Sequence, residues 1–324
     1  MAGQYLIDGG SHIDRALTNL SIKGFSGAAT NIADTVFPIV TVGRQSDIYY
    51  KVDKDNWLKV YKTLRAPLTN AALADWQVSS EKYFADNYAL GTMYAKETVA
   101  NADEAIQVRE GGTEFVMEGL ARDREKRVAD LATTSGNLGT TYGLVSSHAL
   151  GGSISFTNIN SSDPISTVTS AHAYIQANTG LVANTLITDW DTMALLRINA
   201  RLLENLKYTE NGLVPDAALA NYFRVQRILV GQGIQNNAHE GATASLTNIW
   251  GSNTILAHVS PARGRMTTTF GLQFRWRPEG FPGPSVVQRY DHHEKDRMAE
   301  VLHAQYFCDE KIVAPDLAVL MVNG

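Results

Sequence analysis

A chain of 324 residues, 44% of them hydrophobic and 19% charged, can bury about three quarters of the surface it exposes when unfolded, so one elaborated domain or two can fold without disulfides or a metal. Its formal net charge of −5 argues against a dedicated nucleic-acid binder, because affinity for phosphate backbones comes mainly from clustered Lys and Arg. The charged fraction lies below the roughly 25% of an average soluble protein. With abundant Gly, Ala, Thr and Asn, that suggests a surface covered in large part by other chains.

The only cysteine, Cys308, cannot form an intrachain disulfide and reads as a small buried hydrophobe. The N-terminus, MAGQYLIDGGSHIDRAL, has neither a basic nor an apolar signal region, and no later run approaches the ~20 apolar residues of a membrane span. A soluble protein made inside the cell is expected.

Residues 1–32 are rich in Gly, Ser, Ala, Asn and Thr, as in an arm that orders on a neighbour. Asp34 to Val42 is apolar and β-favouring, with Pro38 implying an edge or bulge. From Gln45 to Glu97, aromatics such as Tyr49, Tyr50, Trp57 and Tyr61 alternate with Lys and Asp, which predicts a long two-stranded hairpin. Such a hairpin needs something to pack on. Lys51, Lys54, Lys59 and Lys62 around Trp57 could suit single-stranded nucleic acid, but Asp47, Asp53 and Asp55 cancel their field.

Gly112 to Thr134 predicts the clearest helix, with Met117, Leu120, Arg124, Val128 and Leu131 on one stripe. Glu118 with Arg122 and Asp123 with Arg127 form acid-before-base pairs at i,i+4. Ser135 to Asn160 reads as loops with a short strand. From Ser162 to Val230 the elements follow one another closely. Asp163-Pro164 caps a helix that Asn178-Thr179-Gly180 stops. Asn184 to Thr188 is a strand, and Asp189 or Asp191 caps a helix carrying Met193, Leu196, Leu203 and Leu206 to about Tyr208. Asn211-Gly212 turns, Pro215-Asp216 opens a helix to Phe223, and Val225 to Val230 is a strand. Thr254 to Val259, Thr267 to Trp276, Ser285 to Tyr290, Ala299 to Phe307 and Ala318 to Val322 read as a returning sheet.

No reaction centre stands out. Gly231-Gln232-Gly233 lacks the Lys-Ser/Thr or third glycine of a phosphate loop. No G-x-S-x-G elbow occurs. Asp291-His292-His293-Glu294 is the one metal-like cluster, but adjacent strand histidines face opposite sides, and no helical HExxH is present.

Arm, aromatic hairpin, long charged helix, compact α/β insertion and returning sheet, in that order, resemble the major capsid proteins of tailed bacteriophages. The resemblance runs over nearly the whole chain. It is carried by IADTVFPIVTV (Ile32 to Val42), Arg65-Ala66-Pro67, Arg124-Glu125-Lys126-Arg127-Val128-Ala129, Ser162-Asp163-Pro164-Ile165, Asn184-Thr185-Leu186-Ile187, Leu206-Lys207-Tyr208, Val225 to Gly231 and Ile249-Trp250-Gly251. It implies an α+β fold of the Hong Kong 97 type. Residues 1–32 would be the N-terminal arm and 33–97 the E-loop with flanking strands. Residues 98–180 would form a P-domain with spine helix 112–134, 181–261 an inserted A-domain, and 262–324 the P-domain return.

The resemblance further implies pentamers and hexamers that close an icosahedral shell around double-stranded DNA, within a virion assembled in the host cytoplasm. Packaged DNA would be held by non-specific proximity, a portal protein would join the shell, and neither cofactor, metal, membrane nor enzymatic activity is implied. A short arm in place of a long charged helical extension implies a separate scaffolding protein. Tyr49, Tyr50, Trp57, Arg65, Trp76, Arg124 and Glu125 become candidate inter-subunit contacts. No motif carries the reactive Lys, Asn and Glu of cross-linking capsids onto positions of this chain. The alternatives are an encapsulin-like nanocompartment shell and, more distantly, a metal-dependent hydrolase using His292, His293 and Glu294.

Overall fold

The computed structural model describes residues 31–52, 54–75, 77–101, 108–143, 156, 159–160, 162–206, 215–260, 267–279, 286–294 and 297–322. The predicted arm therefore lies almost wholly outside the described residues, as do Trp76, most of 144–161 and the Asn211-Gly212 turn.

Two five-stranded sheets share one long helix. In the first sheet, β13 (Arg297–Ile312) is central: β4 (Asp86–Ala95) lines one edge, while β12 (Val286–Glu294) and β11 (Gly271–Trp276) follow each other along the other. β1 (Ile39–Val42) then pairs in parallel with β11. Pro38 immediately precedes this edge strand, where its missing N–H costs no ladder bond. Asp34 to Val36, expected as strand, instead forms a helical turn, α1 (Ala33–Val36). β13 outruns the expected Ala299–Phe307 because three strands share its two edges.

The second sheet has the order β5-β14-β10-β6-β7, with β5 (Thr140–Gly143), β6 (Thr185–Asp189), β7 (Arg227–Gly231), β10 (Thr254–Ala257) and β14 (Ala318–Val322). Strands from outside 181–261, β5 and β14, thus complete the unit that β6, β7 and β10 begin. On it packs α5 (Pro164–Thr179), whose Asp163 carboxylate accepts from Ser166 N and whose Gly180 C-cap has φ 72°. That left-handed backbone is where glycine is tolerated without strain.

The single helix expected from Asp189 to Tyr208 is two, α6 (Trp190–Arg197) and α7 (Ala200–Leu206). Asn199 breaks it: its buried side chain caps α7 by accepting from Arg201 N at 3.0 Å and is held by Ser162 Oγ at 2.8 Å. Met193 and Leu196 are buried as expected, and in α7 Leu202 is fully buried while Leu203 is only partly so. α8 (Asp216–Tyr222) leads into β7.

The long helix α4 (Val108–Thr133) starts one turn before the expected boundary. Its N-terminal half buries Val116 and Leu120 on Leu302, Ala304 and Tyr306 of the first sheet. Its C-terminal half contributes Val128, Ala129 and Ala132 to the core containing α5 and the second sheet. Each large aliphatic so buried contributes about 1.5–3 kcal/mol. Spanning two sheets rotates the buried side, so Met117 is exposed and Glu125, not Arg124, points inward. Among the described residues no helix is long and apolar enough to cross a membrane.

Candidate assembly surface

The predicted hairpin is shorter than Gln45 to Glu97: β2 (Ser46–Val52) and β3 (Val78–Phe84) pair antiparallel with Tyr49 opposite Glu81, whereas Lys54–Trp57 forms a helical turn and β4 belongs to the first sheet. Its base is clamped to the first sheet. Tyr83 stacks on Phe274 with centroids 4.7 Å apart, Tyr49 leans on the same ring at 5.1 Å, and Phe84 N donates to Asp309 Oδ2 at 2.9 Å. Tyr49 Oη and Lys51 Nζ both donate to the Glu81 carboxylate. Partial burial first, then Glu81, pushes the Tyr49 hydroxyl up, while the bonds from Lys51 and Tyr49 hold Glu81 below its usual range. Tyr49 is therefore engaged within the subunit.

Beyond this base Lys54 pairs with Asp316 at 2.6 Å, but most of the apolar side chains between the two strands stand in solvent. Of the twenty-three exposed large apolar side chains among the described residues, twelve lie between Ile48 and Phe84, which concentrates stickiness there. Tyr50 and Trp57 are exposed, and Val60, Leu64, Leu68 and Leu73 are each at least 94% exposed; Arg65 is exposed among them. A monomer gains nothing by displaying such a comb. At its tip Thr69 N donates to Ala66 O at 3.3 Å across Pro67-Leu68, and Leu68 has φ 63°. A leucine in the left-handed region is strained by about 1–3 kcal/mol; sequence patterning gave no sign of it.

The α4 seam is the opposite kind of surface. Arg109 grips Glu300 with Nε–Oε1 3.1 Å and Nη2–Oε2 3.0 Å. Arg127 donates to Glu310 at 2.9 Å and to Tyr306 Oη at 2.9 Å, pairs with Asp123, and lies 3.5 Å over the Tyr88 ring. Burial opposes the Arg127 charge, but Glu310 more than offsets it and raises the pKa above the ordinary arginine range. Burial also raises Tyr306, and raises Tyr88 to about 12. Cys308 is fully buried, its thiol donating to Glu310 at 3.1 Å; burial, then Glu310, pushes it up, so it is not a ready nucleophile.

Two expected contacts change meaning. Arg124 is mostly covered and pairs with Asp34 at 3.0 Å. Glu125 has 0% exposure and cannot be a surface contact in this conformation. Its carboxylate instead accepts from Ile32 N at 3.0 Å, Ala33 N at 2.8 Å and Trp250 Nε1 at 2.6 Å. It thereby ties α1 and the Trp250 turn to α4. Nothing local in the sequence announces this, since its partners lie 92 or more residues away.

The glycines after β7 also find a structural use. A Cβ on Gly231 would sit 2.3 Å from Trp250 Cδ1, and one on Gly233 would sit 3.1 Å from Ile249 Cδ1. They make room for the Ile249-Trp250 turn. Asp291 to Glu294 lies in β12, opposite Arg297 to Glu300, and no group of three or more potential metal ligands occurs among the described residues.

No protein-family model matches the chain. Solved structures share its fold: a phage-related protein from Bordetella bronchiseptica RB50 at TM-score 0.67 and 19% identity, covering 91% of this chain and 92% of that one, and the capsid of cyanophage P-SCSP1u at TM-score 0.61 and 13% identity, covering 94% and 91%. The fold is that of phage capsids. In sequence the chain is 27% identical over 258 residues to the major capsid protein of Burkholderia phage BcepMu, covering 79% of this chain and 80% of that protein. It is 25% identical over 320 residues to the major capsid protein of Pseudomonas phage JBD67, covering 96% and 97%. The chain is a homologue of the major capsid proteins of tailed phages.

Proposed function

We propose that this chain is a major capsid protein whose copies close the icosahedral head shell around the double-stranded DNA of a tailed phage. The observation that carries the reading is its end-to-end match to the JBD67 major capsid protein, 96% of one chain on 97% of the other. The exposed hairpin comb supports it, since a protein that buries those side chains only in an assembly displays them when alone. Shell contacts around closed axes then generate the rings from which a shell is built.

In the Hong Kong 97-type scheme, the β2–β3 hairpin within 33–97 is the E-loop and 1–32 the arm. α4 is the spine of a P-domain drawn from 98–180 and 262–324, and 181–261 is the A-domain. Tyr50, Trp57, Arg65 and Trp76 contact neighbouring subunits, and Tyr49 braces the hairpin that presents them. A separate scaffolding protein, a portal and packaged DNA are the further partners, with assembly in the host cytoplasm. No observation favours the nanocompartment or hydrolase readings.

Electron microscopy of the purified chain, expressed with and without the phage's scaffolding protein, tests the proposal. Closed shells of uniform diameter are expected. A monodisperse monomer under both conditions contradicts it.

A further inference from the structure

Outside the hairpin, the N-terminal half of α4 also shows apolar groups to solvent. Phe115 is 66% exposed, and Met117 is exposed on the same outer side. Leu90 of β4, itself exposed, lies against this part of the helix: a Cβ on Gly119, one turn beyond Phe115, would sit 2.6 Å from Leu90 Cδ2. Between Phe115 and Met117 runs an acidic ridge of Glu110, Glu114 and Glu118, at the spacing of four that aligns side chains along a helix. Val116 and Leu120 are turned to the sheet, so the ridge faces away from it. Residues 110–121 hold no Lys or Arg, and Arg109 is committed to Glu300.

The hairpin tip is the complement. From Leu58 to Ala74 every residue is exposed, and Lys59, Lys62 and Arg65 stand among Val60, Leu64, Leu68 and Leu73 with no acidic residue. One surface joins apolar groups to negative charge and the other joins them to positive charge, and matched potentials of this kind fix partner and register. The two surfaces belong to opposite faces of the first sheet. Side chains alternate along β13: Leu302, Ala304 and Tyr306 meet α4. Asp309, which accepts from Phe84 N, and its register partner Phe274, which stacks on Tyr83, lie on the other face. A comb rooted on one face and a ridge on the other meet most directly between two copies, head to tail, the kind of contact that closes rings.

We propose that the acidic ridge of α4, flanked by Phe115 and Met117, receives the basic, apolar hairpin tip of a second copy of this chain. This rests on the shell reading above and names the surface that the hairpin meets.

Charge reversal and its rescue test the pairing. Lys62→Glu with Arg65→Glu reverses the tip, and Glu110→Lys with Glu114→Lys reverses the ridge. All four sites are exposed, so the variant subunits should melt as the wild type does. Either reversal alone should lower the yield of shells by roughly tenfold or more, because like charges then face each other across the contact. All four substitutions in one chain should restore it. A ridge reversal that assembles like wild type overturns the proposal and sends the tip to another surface, packaged nucleic acid included. So does a fourfold variant that melts normally and still fails to assemble.

A second measurement needs no shells. Leu64→Cys and Phe115→Cys subunits, mixed at high concentration without scaffolding protein and treated with a short bismaleimide, should give severalfold more dimer than either variant alone; Cys308 is buried and does not compete. Equal yields from the mixture and from the separate variants overturn the pairing. A wild type that forms no shells sinks the shell reading, while the cross-link still decides whether tip and ridge meet.

Discussion

The hairpin and the α4 seam treat their side chains in opposite ways. Along the seam, arginines, tyrosines and buried carboxylates find partners within the chain, Arg275 being the marked exception. Along the hairpin, Val60, Leu64, Leu68 and Leu73 stand almost fully in solvent. The seam makes the subunit rigid, and the hairpin makes it incomplete. A shell subunit needs both.

The contrast predicts where substitutions hurt the subunit itself. The largest loss should follow Glu125→Ala, which leaves the N–H groups of Ile32, Ala33 and Trp250 without their acceptor. We expect about 3 kcal/mol in urea unfolding; Glu125→Gln should lose less, because one amide oxygen can still accept. A change under 0.5 kcal/mol would mean that the hub does not organise the seam.

Next comes Gly231→Ala, whose new methyl would meet the Trp250 indole. Overpacking of this kind costs about 1–3 kcal/mol, and near-ultraviolet circular dichroism should report a displaced indole. An unchanged spectrum and stability would show that the turn yields freely. Val60→Asp with Leu64→Asp should alter subunit stability by no more than about 0.5 kcal/mol, as expected for exposed sites. A larger loss would place the comb on its own subunit.

The smallest effect is pH-dependent. Glu81 is held below its usual carboxylate range by Lys51 and Tyr49, so its folded form binds its proton less readily than its unfolded form. Its contribution is complete above about pH 4.3 and is lost as pH falls through the lower folded value. Amide exchange in β2 and β3 should accelerate in that acid range, and Glu81→Gln should flatten the dependence.

Much of this fold was legible in local patterns. Asp163-Pro164 and Gly180 bounded α5 correctly, the aromatic alternation marked the hairpin, and Ala318 to Val322 was a strand as expected. The misses share a long-range cause. Locally the residues of α1 read as strand, and the helical turn forms because its first N–H groups are capped by Glu125, 92 or 93 residues away. α6 and α7 read locally as one helix, and Asn199 breaks it through a bond to Ser162, 37 residues away. The candidates Tyr50, Trp57 and Arg65, which the resemblance implies, are exposed, whereas the burial of Glu125 required tertiary structure.

The central claim is that hairpin apolar groups join subunits and do little inside one. Sedimentation velocity of Val60→Asp with Leu64→Asp, beside wild type at equal concentration and with scaffolding protein present, tests it most directly. The wild type should sediment as shells and the variant as folded subunits or small rings, with the two subunits melting alike. Shells of normal size and yield from the variant would contradict the account.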